Sequence, residues 1–265
     1  MTRTRRGPIL DFGGVLTTSV PVCALAFDRA EGLPEGTFLR AISADPTGRA
    51  LYADLERGTV SQAQWNKQMG AVLDIDGEDL LRRVLADLRP EPQMIAAAQA
   101  ARAAGVLVGI FTNSLGLEPY DIYEGYDIHT AYDAVLISEH YRARKPDPEL
   151  YPVMLDKMGL PGSQCVFVDD TARNLVPFEE FGVAKVLAQD DPAATVAQVE
   201  ALLGLHLTEQ ASRSTGRFTG SRSAADPVVS GSGSGRVLWV RSSLMAAPRR
   251  SRLRGCAAVP RPRCG

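Results

Sequence analysis

Short apolar runs alternate along the chain with longer stretches of helical period. Ile9–Leu10, Val106–Phe111, Ala134–Ser138, Cys165–Val168 and Val183–Leu187 have strand length, and their continuity suits strands buried on both faces. Between them, Met94–Ala104 reads as an alanine-rich helix that Gly105 ends. Leu150, Val153, Met154 and Leu155 mark a helix opened by Pro146 and closed by Gly159. Ala172–Phe181 reads as a helix bent at Pro177, and Asp191-Pro192 as the cap of a last helix carrying Val196, Val199, Leu202 and Leu203. Residues 115–133, rich in Tyr, Asp and Gly, read as a loop with one helical turn. Strands alternating with helices predict an α/β architecture with a doubly wound parallel sheet.

One block breaks the alternation. Residues 19–87 carry helical periods only: Leu51 and Leu55; Trp65, Met69, Val72 and Leu73 after a Ser61/Gln64 capping box; then Leu80, Leu81, Val84, Leu85 and Leu88. The block is long enough for four helices, and Pro90 and Pro92 mark the return from it. Trp65 reads as core packing rather than a substrate-facing aromatic. The first strand has its own irregularity, because Pro8 stands three residues before Asp11. Proline suits a strand's first residue or an edge, so this strand is expected to be unusually short.

Composition adds a boundary. From Leu207 onward eleven arginines face only Glu209 and Asp226, a surplus of nine; with −2 overall, the preceding residues carry −11. That last stretch is rich in Ser, Gly, Arg and Pro and has no apolar period, so it reads as a basic, disordered tail. Two roles remain open for it: an arm for acidic surfaces, or a stretch without a selected role, such as a read-through of a shifted frame, which is slightly favoured. The expected organisation is a core of 1–18 and 88–206, a helical cap of 19–87 and a tail of 207–265. Cys23, Cys165, Cys256 and Cys264 lack metal-binding spacing, and no apolar run reaches membrane length. The arginines near the start precede too short an apolar run for a signal peptide. The chain is expected to be cytoplasmic, without a specific nucleic-acid or membrane partner; its oligomeric state is not legible.

Polar groups gather where the apolar runs stop. Asp11-Phe12-Gly13-Gly14-Val15-Leu16-Thr17, Phe111-Thr112-Asn113, Arg144-Lys145-Pro146-Asp147 and Val166-Phe167-Val168-Asp169-Asp170 each place polar side chains at a strand end or helix start. Taken singly, each has an ordinary explanation: Asp169-Asp170 an N-cap pair, Lys145 a solvated charge, Thr112-Asn113 a turn. Together, in this order and spacing, they resemble the four motifs of the haloacid dehalogenase-like (HAD) hydrolases, over roughly residues 8–205. The branch resembled has a helical cap inserted after the first strand of a Rossmann-like core.

The resemblance implies a phosphatase acting on a small phosphorylated metabolite. Asp11 would be the nucleophile, forming an aspartyl-phosphate. Mg²⁺ would be held by Asp11, the Gly13 carbonyl, Asp169 and Asp170. Gly13, Gly14, Thr112, Asn113 and Lys145 would bind the phosphoryl group, with Thr112 and Lys145 assisting the chemistry.

One position departs from that pattern. The family's phosphatases usually carry a second aspartate where this chain has Gly13, and that aspartate protonates the leaving oxygen. General acid help is worth ~10²–10⁴-fold, so slow turnover of alkyl phosphates is expected. Asp121, Asp127, His129 and the cap stay open as proton sources. Two other readings stand beside the phosphatase: a catalytically weakened binding or regulatory protein, and a 2-haloacid dehalogenase, which needs no such acid. Phosphonate cleavage ranks low, because the cap's single lysine, Lys67, reads as a solvated charge.

Overall fold

A computed structural model describes residues 5–207. The expectations for 208–265 lie outside the described residues. Five parallel strands form one sheet: β1 (Gly7–Leu10), β2 (Gly109–Thr112), β3 (Ala134–Ile137), β4 (Cys165–Asp169) and β5 (Ala184–Leu187), in the order β3-β2-β1-β4-β5. β1, β2 and β4 are buried throughout, as continuous apolar runs require. The order reverses direction between β1 and β4. In open α/β sheets the crevice beyond such a switch point is where ligands bind.

Five helices, one more than expected, occupy the stretch between β1 and the return to the sheet. They are α1 (Val20–Ala30), α2 (Thr37–Ser43), α3 (Pro46–Glu56), α4 (Gln62–Leu73) and α5 (Leu80–Val84). The extra break falls at Gly32 and Gly36, both at positive φ around Leu33-Pro34, where a continuous helix cannot run. The Ser61/Gln64 capping box opens α4 as anticipated. Trp65 is fully buried, with Phe38 and Tyr52 each 6.4 Å from it between ring centroids, so it is core.

The remaining helices are α6 (Pro92–Ala103), α7 (Ile128–Ala131), α8 (Leu150–Met158), α9 (Ala172–Leu175) and α10 (Pro192–Leu203). Three proline-based expectations are corrected here. Pro8 sits inside the central strand, opposite Val166 of β4; pairing with β2 starts only at Ile9, past the missing donor. Pro146 does not open α8. A second proline, Pro148, disfavours helical backbone at the residue before it, and the helix starts at Leu150. Pro177 does more than bend its helix: α9 stops at Leu175, and a tighter 3₁₀ turn runs over Val176–Phe181. No helix among the described residues is long and apolar enough to cross a membrane.

Candidate active site

The ends of β1, β2 and β4 meet at one point. Asp11 follows β1, Thr112 ends β2 and Asp169 ends β4. Lys145, from the loop before α8, is fully buried between them. Its ammonium lies 2.8 Å from Asp11 Oδ1 and 2.6 Å from Asp169 Oδ2, and donates to the Phe111 carbonyl at 2.9 Å. An ammonium has three protons, so all are committed. The Phe111 and Phe167 rings complete its surroundings at 5.3 and 5.4 Å. Lys145 is therefore the opposite of a solvated charge.

Each floor carboxylate is held by its own loop. Asp11 Oδ1 also accepts from the Phe12 N–H at 2.7 Å, which leaves Oδ2 without a protein partner among the described residues. Asp169 Oδ1 accepts from the Thr171 N–H at 2.8 Å and the Asn174 amide at 2.9 Å. It thus makes the turn contact that its sequence position suggests while its other oxygen binds Lys145. Asp170 accepts from the Thr171 hydroxyl at 3.1 Å. Gly14, at φ +73°, passes directly over the Asp170 carboxylate; a Cβ there would collide with it. Glycine at this position is what lets the loop after β1 approach Asp170.

Asp11, Asp169 and Asp170 each offer an oxygen, all within 4.8 Å of one another. Burial raises the Asp11 carboxyl well above the usual range; Lys145 opposes this, and Asp169 and Asp170 add to it. Asp170 is raised too, by burial and then by Asp169. Burial disfavours the charged form of Lys145, but its two carboxylate partners outweigh that, and it stays an ammonium. One ammonium facing three carboxylates leaves a surplus of negative charge. That surplus, and an all-oxygen donor set, fit a hard divalent cation such as Mg²⁺.

The remaining sequence-derived candidates divide. Thr112 and Asn113 line the same cavity as Asp11, Gly13 and Asp170. The Thr112 hydroxyl lies 3.2 Å from both the Asn113 carbonyl and the Tyr123 hydroxyl. The Asn113 side chain is spent on the Lys145 loop: its Oδ1 accepts from the Lys145 N–H at 2.7 Å and its amide donates to the Lys145 carbonyl at 3.3 Å. Gly13 lines the cavity, and a Cβ added there would meet nothing within 4 Å. Gly14 borders a separate hollow with Thr17 and Gln189.

Two functional candidates escaped the sequence reading. Glu56, at the end of α3, is buried beside the cavity, with Arg144 Nη1 2.5 Å from its Oε2 and the Asn113 amide 3.3 Å from its Oε1. The Arg144 contact is an ion pair without hydrogen-bond alignment. Burial pushes the Glu56 carboxyl up to about 7 against the pull of Arg144 and Asn113. Asn174 is the other, anchoring Asp169 while its own Oδ1 is buried unpaired. Arg144 was visible as a member of its motif, whereas Asn174 stands four residues past Asp170 with no role assigned to it there. Glu56, between Leu55 and Arg57 on an ordinary helix end, carried no local signal.

Comparison with known proteins gives the family. The haloacid dehalogenase-like hydrolase family matches residues 8–182. The chain belongs to that family. It is 25% identical over 208 residues to a sesquiterpene phosphatase of Aspergillus oryzae, covering 77% of this chain and 100% of that one. It is 26% identical over 149 residues to an (S)-2-haloacid dehalogenase of Pseudomonas fluorescens, covering 56% of this chain and 63% of that one. Other curated relatives are matched over as little as 20% of their length. Among solved structures, a HAD-family enzyme of Bacteroides thetaiotaomicron in complex with magnesium and inorganic phosphate is similar in fold. Its TM-score is 0.53 at 14% identity, over 71% of this chain and 96% of that one.

Proposed function

We propose that this HAD-family hydrolase is a Mg²⁺-dependent phosphomonoesterase that acts through Asp11. The observation that carries the reading is the floor of the cavity: three carboxylates at the sheet's switch point, short of counter-charge, with one oxygen of Asp11 unengaged. Asp11, Asp169, Asp170 and the Gly13 carbonyl would hold the ion, which when bound neutralises phosphoryl charge. Asp11 Oδ2 then attacks phosphorus, and the bond from phosphorus to the substrate alcohol breaks. The departing alkoxide takes its proton from solvent water; a second water then hydrolyses the aspartyl-phosphate, which frees Asp11 and inorganic phosphate and returns that proton. Lys145 acts as a positioning residue, because its three donors are already taken by Asp11, Asp169 and the Phe111 carbonyl. The backbone N–H of Asn113 and the Thr112 hydroxyl are the donors for the phosphoryl oxygens.

Gly13 supplies no acid, so leaving groups that need little protonation are favoured. The test is phosphate release from p-nitrophenyl phosphate, with Mg²⁺ and with the ion removed by chelation. Release that depends on Mg²⁺ and vanishes in Asp11→Asn supports the reading; release that survives either change overturns it. The same Gly13 favours a dehalogenase as second reading, since halide departs without a proton. That reading predicts halide release from a 2-haloacid without added metal.

A further inference from the structure

The cavity above Asp11, about 200 Å³, has its polar and apolar walls on different parts of the chain. Asp11, Thr112, Asn113 and Asp170, all from strand ends or the loops just past them, make one side. The other side is Val20 of α1, Leu39 and Ile42 of α2, Leu85 and Leu88 after α5, and Ile122 from the loop after β2. Tyr52, Glu56, Arg144 and Arg173 also reach the cavity; of these, Glu56 and Arg144 are paired with each other. A sugar phosphate would bring several hydroxyls against the aliphatic wall, whose own side chains carry no polar atom. Hydroxyls left without partners lose their hydration and gain nothing in return.

We infer that the site takes the phosphate monoester of an apolar alcohol, with the hydrocarbon lying against α2 and the segment after α5. This rests on the phosphomonoesterase reading for its chemistry, though not for its binding. The phosphoryl end sits on the carboxylate floor. The P–O bond to the apolar alcohol breaks, water supplies the new oxygen, and the alcohol departs with a proton. Specificity comes from chain burial, so affinity grows with each methylene until the cavity is filled.

The test uses n-alkylphosphonates from methyl to decyl, whose C–P bond is inert to hydrolysis, titrated calorimetrically into the full chain with Mg²⁺. The expected result is about threefold tighter binding per added methylene over the first several carbons, followed by a plateau. A hexose 6-phosphate is expected to bind no better than methylphosphonate. Leu39→Gln and Ile42→Gln, on the half-buried face of α2, are expected to cut the octyl-to-methyl affinity ratio about tenfold, with circular dichroism confirming the fold. An affinity flat in chain length, or hexose phosphate binding tighter than octylphosphonate, overturns the inference. A rising series without phosphate release from any monoester supports the pocket assignment and overturns the phosphomonoesterase reading instead.

Discussion

At the floor of the cavity Lys145 and Asp169 are fully buried, and their hydrogen bonds tie together β2, β4 and the loops after β1 and before α8. On the wall opposite, Leu39, Ile42 and Leu88 are half-buried side chains with no polar atom to place. The floor holds directional, charged contacts whose loss leaves a buried ion uncompensated. The wall offers only area, which tolerates change in rough proportion to what is removed. Removing a charged floor side chain should therefore change turnover of every substrate alike, whereas altering the wall should re-rank substrates.

The largest expected effect is at Asp11. Asp11→Asn keeps the shape and removes the nucleophile, so single-turnover and steady-state assays with p-nitrophenyl phosphate should show a loss of at least about 10³-fold. The loss should be equal for aryl and alkyl esters; unequal losses would mean that the floor also reads the alcohol.

Lys145→Met comes next. It leaves Asp11 and Asp169 facing each other without their shared ammonium. Denaturant unfolding should show a destabilisation of about 3–5 kcal/mol, the usual cost of breaking a buried ion pair from one side. Mg²⁺ should recover part of it, since the ion supplies the missing positive charge. No recovery at saturating Mg²⁺ would argue against a cation site on these carboxylates.

Gly13→Asp should act in the other direction. A Cβ there meets nothing within 4 Å, so the backbone accepts a side chain at this position. Restoring a general acid should raise turnover of alkyl phosphates by about 10²-fold and leave p-nitrophenyl phosphate nearly unchanged. A gain equal for both leaving groups would show that proton supply is not the limit.

The smallest effect joins the two regions. Glu56, from α3, reaches Arg144 and Asn113, with Arg173 and Lys145 as the other cations acting on it. Its carboxyl is raised from 4.5 to about 7 in the folded protein. Between those values the folded state binds more protons than the unfolded state. This contribution to stability is therefore complete below about pH 4.5 and lost as pH rises through about 7, at no more than about 1.4 kcal/mol per pH unit. Glu56→Gln should remove that slope in unfolding measured from pH 4.5 to 7.5. An unchanged slope would mean that Arg144 keeps Glu56 ionised throughout.

Much of the floor was legible before any coordinates. Asp11, Thr112 and Asp169 each end an apolar run, and a parallel sheet carries such ends to one edge. The elements misread were those where proline obeyed its neighbours rather than its own rule. Pro8 survives in the central strand because pairing with β2 begins one residue later. Pro146 fails to open α8 because Pro148 follows it. The aliphatic wall was hidden for a different reason: Leu39, Ile42 and Leu88 share a helical period with residues that simply pack, and only the crossing of helices over the sheet separates the two sets.

The sequence by itself determined the strands, the helical insertion and the carboxylates at the strand ends, because apolar period and glycine placement are local properties. Tertiary structure alone decided that Lys145 spends all three protons inside the protein, that Glu56 is a buried partner of Arg144, and that Leu39, Ile42 and Leu88 line the same cavity as Asp11. Each of these depends on which distant segments touch, and burial and charge pairing exist only once they do.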